Sequence, residues 1–275
     1  MSLFVSALAS GSNGNCYYIG NEKEAVLIDI GISCRETERR MKRIGLSPQK
    51  VKAVFISHEH SDHISGIQTF SKKYNLPVYI TPATLQNSRL QLMPSLVRNF
   101  SSYEPVNIGE LSITAFPKFH DAADPYSFTI AGQGVTVGIF TDIGNPCQHV
   151  INRFRECHAA FLETNYDEDM LWKGSYPFHL KRRISGGQGH LSNKQALELF
   201  LEHRPVFMSH LFLSHLSKNN NNPDLVKELF EAHAGPVKTV VASRYQETEL
   251  YQISSAPISF NLPPMIQPTQ LEISF

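Results

Sequence analysis

The chain has 275 residues, 41% of them apolar and 18% charged, with 25 Lys plus Arg against 25 Asp plus Glu. That is enough for a substantial core, and the neutral balance excludes a global electrostatic pull toward nucleic acid or an anionic membrane, leaving a local basic patch as the route to either. No apolar stretch is long enough to span a bilayer, the first ten residues lack a basic n-region, and Cys16, Cys34, Cys147 and Cys157 form no close pair, so a cytoplasmic protein with free thiols is expected.

The first third reads as short strands between tight turns, at Leu3–Leu8, Cys16–Ile19 and Ala25–Ile28. Ser33 followed by Glu36 predicts a capping box opening a basic helix that ends near Gly45. Val51–Ile56 is a largely apolar strand, of the kind buried on both faces. The pattern over Ile64–Tyr74 predicts a helix, Pro77–Ile80 a short strand, and Thr81-Pro82 the start of another helix. Strands follow at Leu111–Phe116, Ser127–Ile130 and Val135–Phe140, the last two joined by a turn at Ala131–Gly134.

A helix over His149–Cys157 and a brief strand at Ala159–Leu162 precede a long glycine-containing stretch, residues 164–190, that reads as an irregular and functional loop. Ser192 with Gln195 is a second capping box. Pro205–Met208 reads as a strand, Asn222-Pro223 opens a helix, and Thr239–Ala242 is a last core strand. Residues 244–275 are expected to add a strand or an extended tail to a single domain spanning the chain. The strand-rich halves suit two packed sheets.

The densest chemistry is the run from Ser57 to His63, which places His58, Glu59, His60, Asp62 and His63 at the end of an apolar strand. His58 and His60, two apart, can reach one ion; Asp62 and His63, where the chain turns into a helix, can reach a second beside it. One ion needs only three or four protein ligands, so this density points to two adjacent ions completed from elsewhere. Strand ends supply candidates: His120 after Phe116-Pro-Lys-Phe, Asp142 after Gly138–Thr141, and His210 or His215 in Phe207–Ser217. A carboxylate such as Asp142 can bridge two ions, and Asp29, ending Val26–Ile28, can orient a ligand histidine through its second ring nitrogen. These donors suit zinc or manganese, with iron as a third candidate.

The set Asp29, His58-x-His60-x-Asp62-His63, His120, Asp142 and a late histidine resembles the metallo-beta-lactamase-fold hydrolase superfamily, in order along the chain. The resemblance implies an α/β fold, a four-layered αββα sandwich with two mixed sheets. It further implies one ion held by His58, His60 and His120, and a second by Asp62, His63 and His215, with Asp142 bridging. Over most of residues 1–225 the chain also resembles the YycJ/WalJ-like branch. The segments that carry this are Ser10–Asn15, His120–Pro125, Glu163-x-Asn165-Tyr-Asp167, Met170-Leu171, Gly174-x-Tyr-Pro177, Leu180–Ile184, Gly189–Asn193 and His215-Leu-Ser-x-x-Asn220-Asn221.

That branch implies nuclease activity, chiefly removal of DNA from 5′ ends. The expected chemistry is attack by metal-bound hydroxide on a phosphodiester phosphorus, with Asp62 orienting the water and His190 contacting a phosphate oxygen or protonating the leaving oxygen. Ser10, Ser12, Asn13 and Asn15 are candidates to meet a ligand or the metal rim. Lys181, Arg182 and Arg183 are candidates to follow a nucleic-acid backbone, and Trp172 or Tyr176 to stack on a base. His215 is preferred over His210 because Leu-Ser-x-x-Asn-Asn follows it. Two other functions fit the residues: a phosphodiesterase for small or cyclic molecules, and a metal-stabilised binding or signalling protein without useful turnover.

Overall fold

The computed structural model describes residues 2–255 of the chain. Among them, one sheet comprises β1 (Ser2–Ala9), β2 (Cys16–Gly20), β3 (Ala25–Ile28), β4 (Val51–Phe55), β5 (Val78–Tyr79), β6 (Val97–Arg98) and, at the far edge beside β1, a C-terminal strand at Tyr251–Ser254. The other runs in spatial order from β13 (Lys238–Val241) through β12 (His210–Ser214), β11 (Ala159–Glu163), β10 (Val135–Phe140), β9 (Tyr126–Gly132) and β8 (Leu111–Pro117) to β7 (Pro105–Ile108). The C-terminal strand is β14. Both sheets are mixed in the same way: β1–β2–β3 and β7–β8–β9–β10 pair antiparallel, then β3–β4–β5–β6 and β10–β11–β12–β13 pair parallel.

Three apolar clusters define four layers. Leu3, Ile19, Ile28 and Phe55 of the first sheet meet Ile113, Phe128, Val137 and Phe161 of the second in the central core. Leu27, Val54 and Ile56 on the outer face of the first sheet pack on Met41, Ile67 and Phe70, which come from α1 (Cys34–Arg43) and α3 (Ile67–Tyr74). Phe140, Leu162 and Leu213 on the outer face of the second sheet pack on Phe154, Phe200 and Phe230 from α5 (Gln148–Phe154), α8 (Asn193–His203) and α9 (Pro223–Glu231). The short helices α2 (Ser61–Ile64), α4 (Pro82–Asn87), α6 (Glu168–Lys173) and α7 (Phe178–Ile184) lie in the connections. Strands β2, β3 and β11 are buried along their whole length, as strands covered on both faces must be. This is the α/β sandwich with two mixed sheets expected from the sequence.

Several local expectations change. The predicted helix over 64–74 is interrupted at Ser65-Gly66, where Gly66 N–H leaves the helical ladder and donates to Ile30 O at 2.8 Å. Ser33 caps α1 through Glu36 N–H, but Glu36 turns to Arg39 and Arg40 and does not complete a capping box. Ser192 and Gln195 do complete theirs. Pro205–Met208 forms no strand: Val206 is 86% exposed in a turn, and the strand is the buried run Leu211–Ser214 with His210. The 164–190 stretch contains α6 and α7. Within the expected C-terminal strand or tail, residues 251–254 pair with β1, and 256–275 lie outside the described residues.

Strand direction positions the site. Because β8 is two antiparallel steps from β10, it runs the same way as β10, β11 and β12, so the carboxyl ends of these four strands share one edge. The carboxyl ends of β3 and β4 supply the facing half. Ligands of α/β sheets gather outside such ends.

The loop after β3 is tightly seated there. Gly31 N–H donates to Asn15 O at 2.8 Å, and a Cβ on Gly31 would stand 1.6 Å from Asp62 O. Gly31→Ala is therefore expected to cost about 3 kcal/mol or more, because backbone must shift. Gly187→Ala, whose added Cβ meets nothing within 4 Å, is expected to stay within about 0.5 kcal/mol of the parent. Urea unfolding of the two variants measures the contrast.

Candidate metal centre

Each strand end delivers one or more polar side chains to the same seam. Asp29 follows β3, the 58–63 run follows β4, His120 follows β8, Asp142 follows β10, Glu163 ends β11 and His215 follows β12. Asp29, Asp142 and His215 adopt left-handed φ of 60°, 56° and 56°. Asp and His tolerate that region better than most residues, yet it still costs of order 1–3 kcal/mol each and recurs where function over-determines the backbone. The sharp turn it makes lifts each side chain off its strand into the seam.

Two donor groups result. His58 Nε2 and His120 Nε2 lie 3.0 and 3.3 Å from His60 Nδ1. Asp62 Oδ2 lies 3.4 Å from His63 Nε2 and 3.5 Å from His215 Nε2. A tetrahedral ion with metal–nitrogen bonds of about 2.0–2.1 Å has ligand edges of about 3.4 Å. Asp142 stands between the groups, with Oδ1 3.8 Å from His120 Nε2 and Oδ2 3.2 Å from His63 Nε2.

Asp142 Oδ2 and His215 Nε2 are buried without a hydrogen bond, the His63 ring nitrogen beside the former being out of line for one. Buried polar atoms are rarely left so. The donor types, their spacing and these two orphaned atoms fit divalent cations. His210, the rival ligand, is at the opposite end of β12, stacked along Phe212 and edge-on to Tyr251.

The second nitrogens of four of these imidazoles are also occupied, which fixes ring orientation. His63 Nδ1 is 2.7 Å from Asp29 Oδ2, His58 Nδ1 is 2.9 Å from Ser57 Oγ, and His120 Nδ1 is 3.0 Å from Gly189 O. His215 Nδ1 is 2.9 Å from Glu163 Oε1, the same oxygen that lies 2.7 Å from His190 Nδ1. Asp29 thus lies directly behind the His63 ring.

Glu163 was not singled out in the sequence as part of the site. Its signal was available: it is an acidic residue closing an apolar strand, as Asp29 and Asp142 nearly do. Its Oε2 accepts from Ile143 N–H and Leu191 N–H, so all its capacity is spent inside the site. Lys118 is the other omission. It is buried, and its Nζ donates to Thr141 O at 2.7 Å, next to Asp142.

Burial and mutual attraction compete here. Burial pushes the Glu163 carboxyl up, but His190 and His215 outweigh it and hold Glu163 at about 2. Burial likewise opposes ionisation of Asp62 and Asp142, yet the neighbouring histidines drive both well below the usual carboxylate range. Burial pulls His63 and His215 down, but Asp142 and the other carboxylates reverse this, raising His63 well above its usual value and His215 to about 10. His58 and His120, with less negative charge beside them, are pulled down by burial, His120 to about 3. Burial also lowers Lys118, against the pull of Asp142 and Asp29.

A cavity of about 260 Å³ opens over the donors and is lined by Ser12, Asp121, Arg183 and His190 in addition to them. The other expected contact residues divide. Ser10 Oγ accepts from His215 N–H, and Asn15 Nδ2 reaches Asp62 Oδ2 at 3.1 Å, so both are buried supports behind the donors. Asn13 accepts from Arg244. In the basic triplet, Arg183 reaches Asp121 at the cavity wall, Lys181 donates to Trp172 O and Gly174 O, and Arg182 lies over the Phe178 ring. Tyr176 OH accepts from Asn219.

A family model for a beta-lactamase superfamily domain matches residues 24–215, which hold every donor of both groups. The chain belongs to the beta-lactamase superfamily. Within it, the chain belongs to the YycJ/WalJ branch. It is 32% identical over 231 residues to exodeoxyribonuclease YycJ of Bacillus anthracis, covering 82% of this chain and 87% of the relative. It is 30% identical over 240 residues to exodeoxyribonuclease WalJ of Streptococcus pneumoniae, covering 84% and 89%.

Among solved structures, the metallo-beta-lactamase fold protein YhfI of Bacillus subtilis superposes with a TM-score of 0.71 at 18% identity, covering 92% of this chain and all of that one. This likeness shows the fold. Family and site together make this superfamily member a metal-dependent hydrolase.

An imidazole that takes a metal must be neutral, whereas the neighbouring carboxylates favour the protonated forms of His63 and His215 in the ion-free site. Metal loading at pH 7.5 is therefore expected to release about two protons per chain. Calorimetric titration in two buffers of different ionisation enthalpy measures that number, and zero release would contradict the charge assignment.

Proposed function

We propose that this chain is a DNA exonuclease acting from 5′ ends, with two divalent ions, zinc or manganese before iron, that the two donor groups would hold with Asp142 between them. The observation that carries the substrate class is that two relatives named exodeoxyribonucleases are matched over 87% and 89% of their lengths. The 5′ polarity follows from the resemblance to their branch. The pairing of donors into one group of three imidazoles and one group with Asp62 supports the two-ion reading.

When bound, such ions neutralise phosphoryl oxygens and lower the pKa of water. The chain's own residues would do the rest. Glu163 engages His190 Nδ1, leaving Nε2 for the cavity, where it can pass a proton to the leaving oxygen. Arg183 on the cavity wall would meet a nonbridging oxygen, and Ser12 the opposite rim. Asp62, held by Asn15, would orient the attacking water as well as serve as ligand. Among the described residues no helix is long and apolar enough to cross a membrane. The four free cysteines suit the cytoplasm, where we place the reaction.

The test is hydrolysis by metal-reconstituted protein of unblocked, 5′-blocked and 3′-blocked DNA, with RNA and a cyclic dinucleotide alongside. Shortening of DNA that a 5′ block stops is expected. Turnover of the cyclic substrate without polymer degradation would favour the small-molecule phosphodiesterase, and inactivity on all of them would favour a binding protein. Asp62→Ala is expected to abolish turnover. His190→Ala is expected to lower kcat on DNA by about 10²–10⁴ but much less on a p-nitrophenyl diester, whose leaving group needs no proton. Equal losses on both would remove His190 from the proton path.

A further inference from the structure

The connection between β11 and α8 carries two large aromatic side chains in solvent. Trp172 on α6 is 45% exposed and Phe178 at the start of α7 is 69% exposed. Their ring centroids are 6.3 Å apart. The Arg182 guanidinium carbon stands 5.6 Å from the Phe178 centroid, as i,i+4 spacing on a helix allows. The two helices are tied rather than loose, because Lys181 Nζ donates to Trp172 O at 2.8 Å and Gly174 O at 2.7 Å. The lysine spends its charge on the corner and Arg183 pairs with Asp121, which leaves Arg182 beside the exposed rings.

This arm is continuous with the metal cavity. Arg183 and Ile184, the next residues of α7, line it. From Phe178 to Arg183 the helix rises about 7.5 Å at 1.5 Å per residue, roughly two nucleotides of a stacked strand at ~3.4 Å each and fewer of an extended one. We infer that the α6–α7 arm is a stacking platform for unpaired bases of a single-stranded nucleic acid, with Trp172 and Phe178 as its surfaces, lying one or two nucleotides from the phosphate held in the metal cavity.

Three observations select that occupant. A base offers a flat π-face of any sequence to an exposed aromatic pair, and such stacking is a main source of single-strand affinity. Arg182 places a cation beside that pair, and Arg183, paired with Asp121, carries the basic face on to the cavity wall, which suits a polyanion. The donors themselves are sunk, His58, His63, Asp142 and His215 being at most 1% exposed below a cavity of about 260 Å³. That volume suits a nucleotide-sized group. The inference rests on the nuclease reading and adds that the strand must enter unpaired.

Trp172 is the single tryptophan of the chain, so its fluorescence reports the platform directly. Metal-free full-length protein titrated with an eight-residue oligothymidylate is expected to show saturable quenching of that emission, weakening as salt rises, while a blunt duplex of equal length quenches little. Phe178→Ala is expected to raise the Kd about tenfold, Phe178→Tyr to restore it within about twofold, and Arg182→Gln to flatten the salt dependence. Absence of quenching, an unchanged Kd for Phe178→Ala, or equal quenching by duplex would each overturn the platform. None of these arms requires turnover. Wild-type protein that binds the oligonucleotide with quenching yet, once metal-loaded, leaves DNA intact would overturn the nuclease reading instead.

Discussion

Asp29 holds both ends of the histidine-rich loop after β4 with one carboxylate. Its Oδ1 accepts from Ser57 N–H, where the loop leaves β4, and its Oδ2 meets Ser57 Oγ and His63 Nδ1, where the loop closes. Ser57 Oγ passes the contact on to His58 Nδ1. The spacing of His58, His60, Asp62 and His63 is therefore set from behind by a residue that is itself fully buried and turned into left-handed backbone. The other half repeats the device with different parts. Glu163 engages His215 and His190 through one oxygen and fastens two backbone amides through the other.

The electrostatic consequence is a site that cannot be neutral by itself. Asp142 and Glu163 are buried, Asp62 is mostly so, and their pull favours the positive charge that answers them on His63 and His215 in the ion-free state. Removing one member of such a set leaves the others uncompensated, and breaking a buried pair typically costs about 3–5 kcal/mol. Divalent ions would take over the role of the protons without moving the frame.

What could be read from the sequence was what is local in it. The 58–63 run, the strand-end positions of His120 and Asp142, and most strands of both sheets lie in short windows whose patterning is self-sufficient. Glu163 was harder, because its partners His190 and His215 lie 27 and 52 residues away. Only the fold brings them together. Ser10 and Asn15 had polar side chains in a glycine-rich loop, which reads as a rim; their burial depends on the neighbouring strand ends closing over them. Pro205–Met208 and Leu211–Ser214 are both apolar runs, and only the pairing of the second between β11 and β13 decides which is the strand. The helices α6 and α7 are short and held by contacts such as Lys181 with the Trp172 and Gly174 carbonyls, which no periodicity reveals.

The donors come from both sheets: His58, His60, Asp62 and His63 from the edge of the first, His120, Asp142 and His215 from the edge of the second. An ion held by both would be a clasp across the seam as well as a reagent. Its binding energy would add to whatever holds the sheets face to face, by an amount that grows with the logarithm of free metal over its dissociation constant, about 2.7 kcal/mol at a hundredfold excess. The lifetime of the folded chain against proteases would then follow the metal supply of the cell, so that starvation for the ion would thin the protein's population as well as silence it.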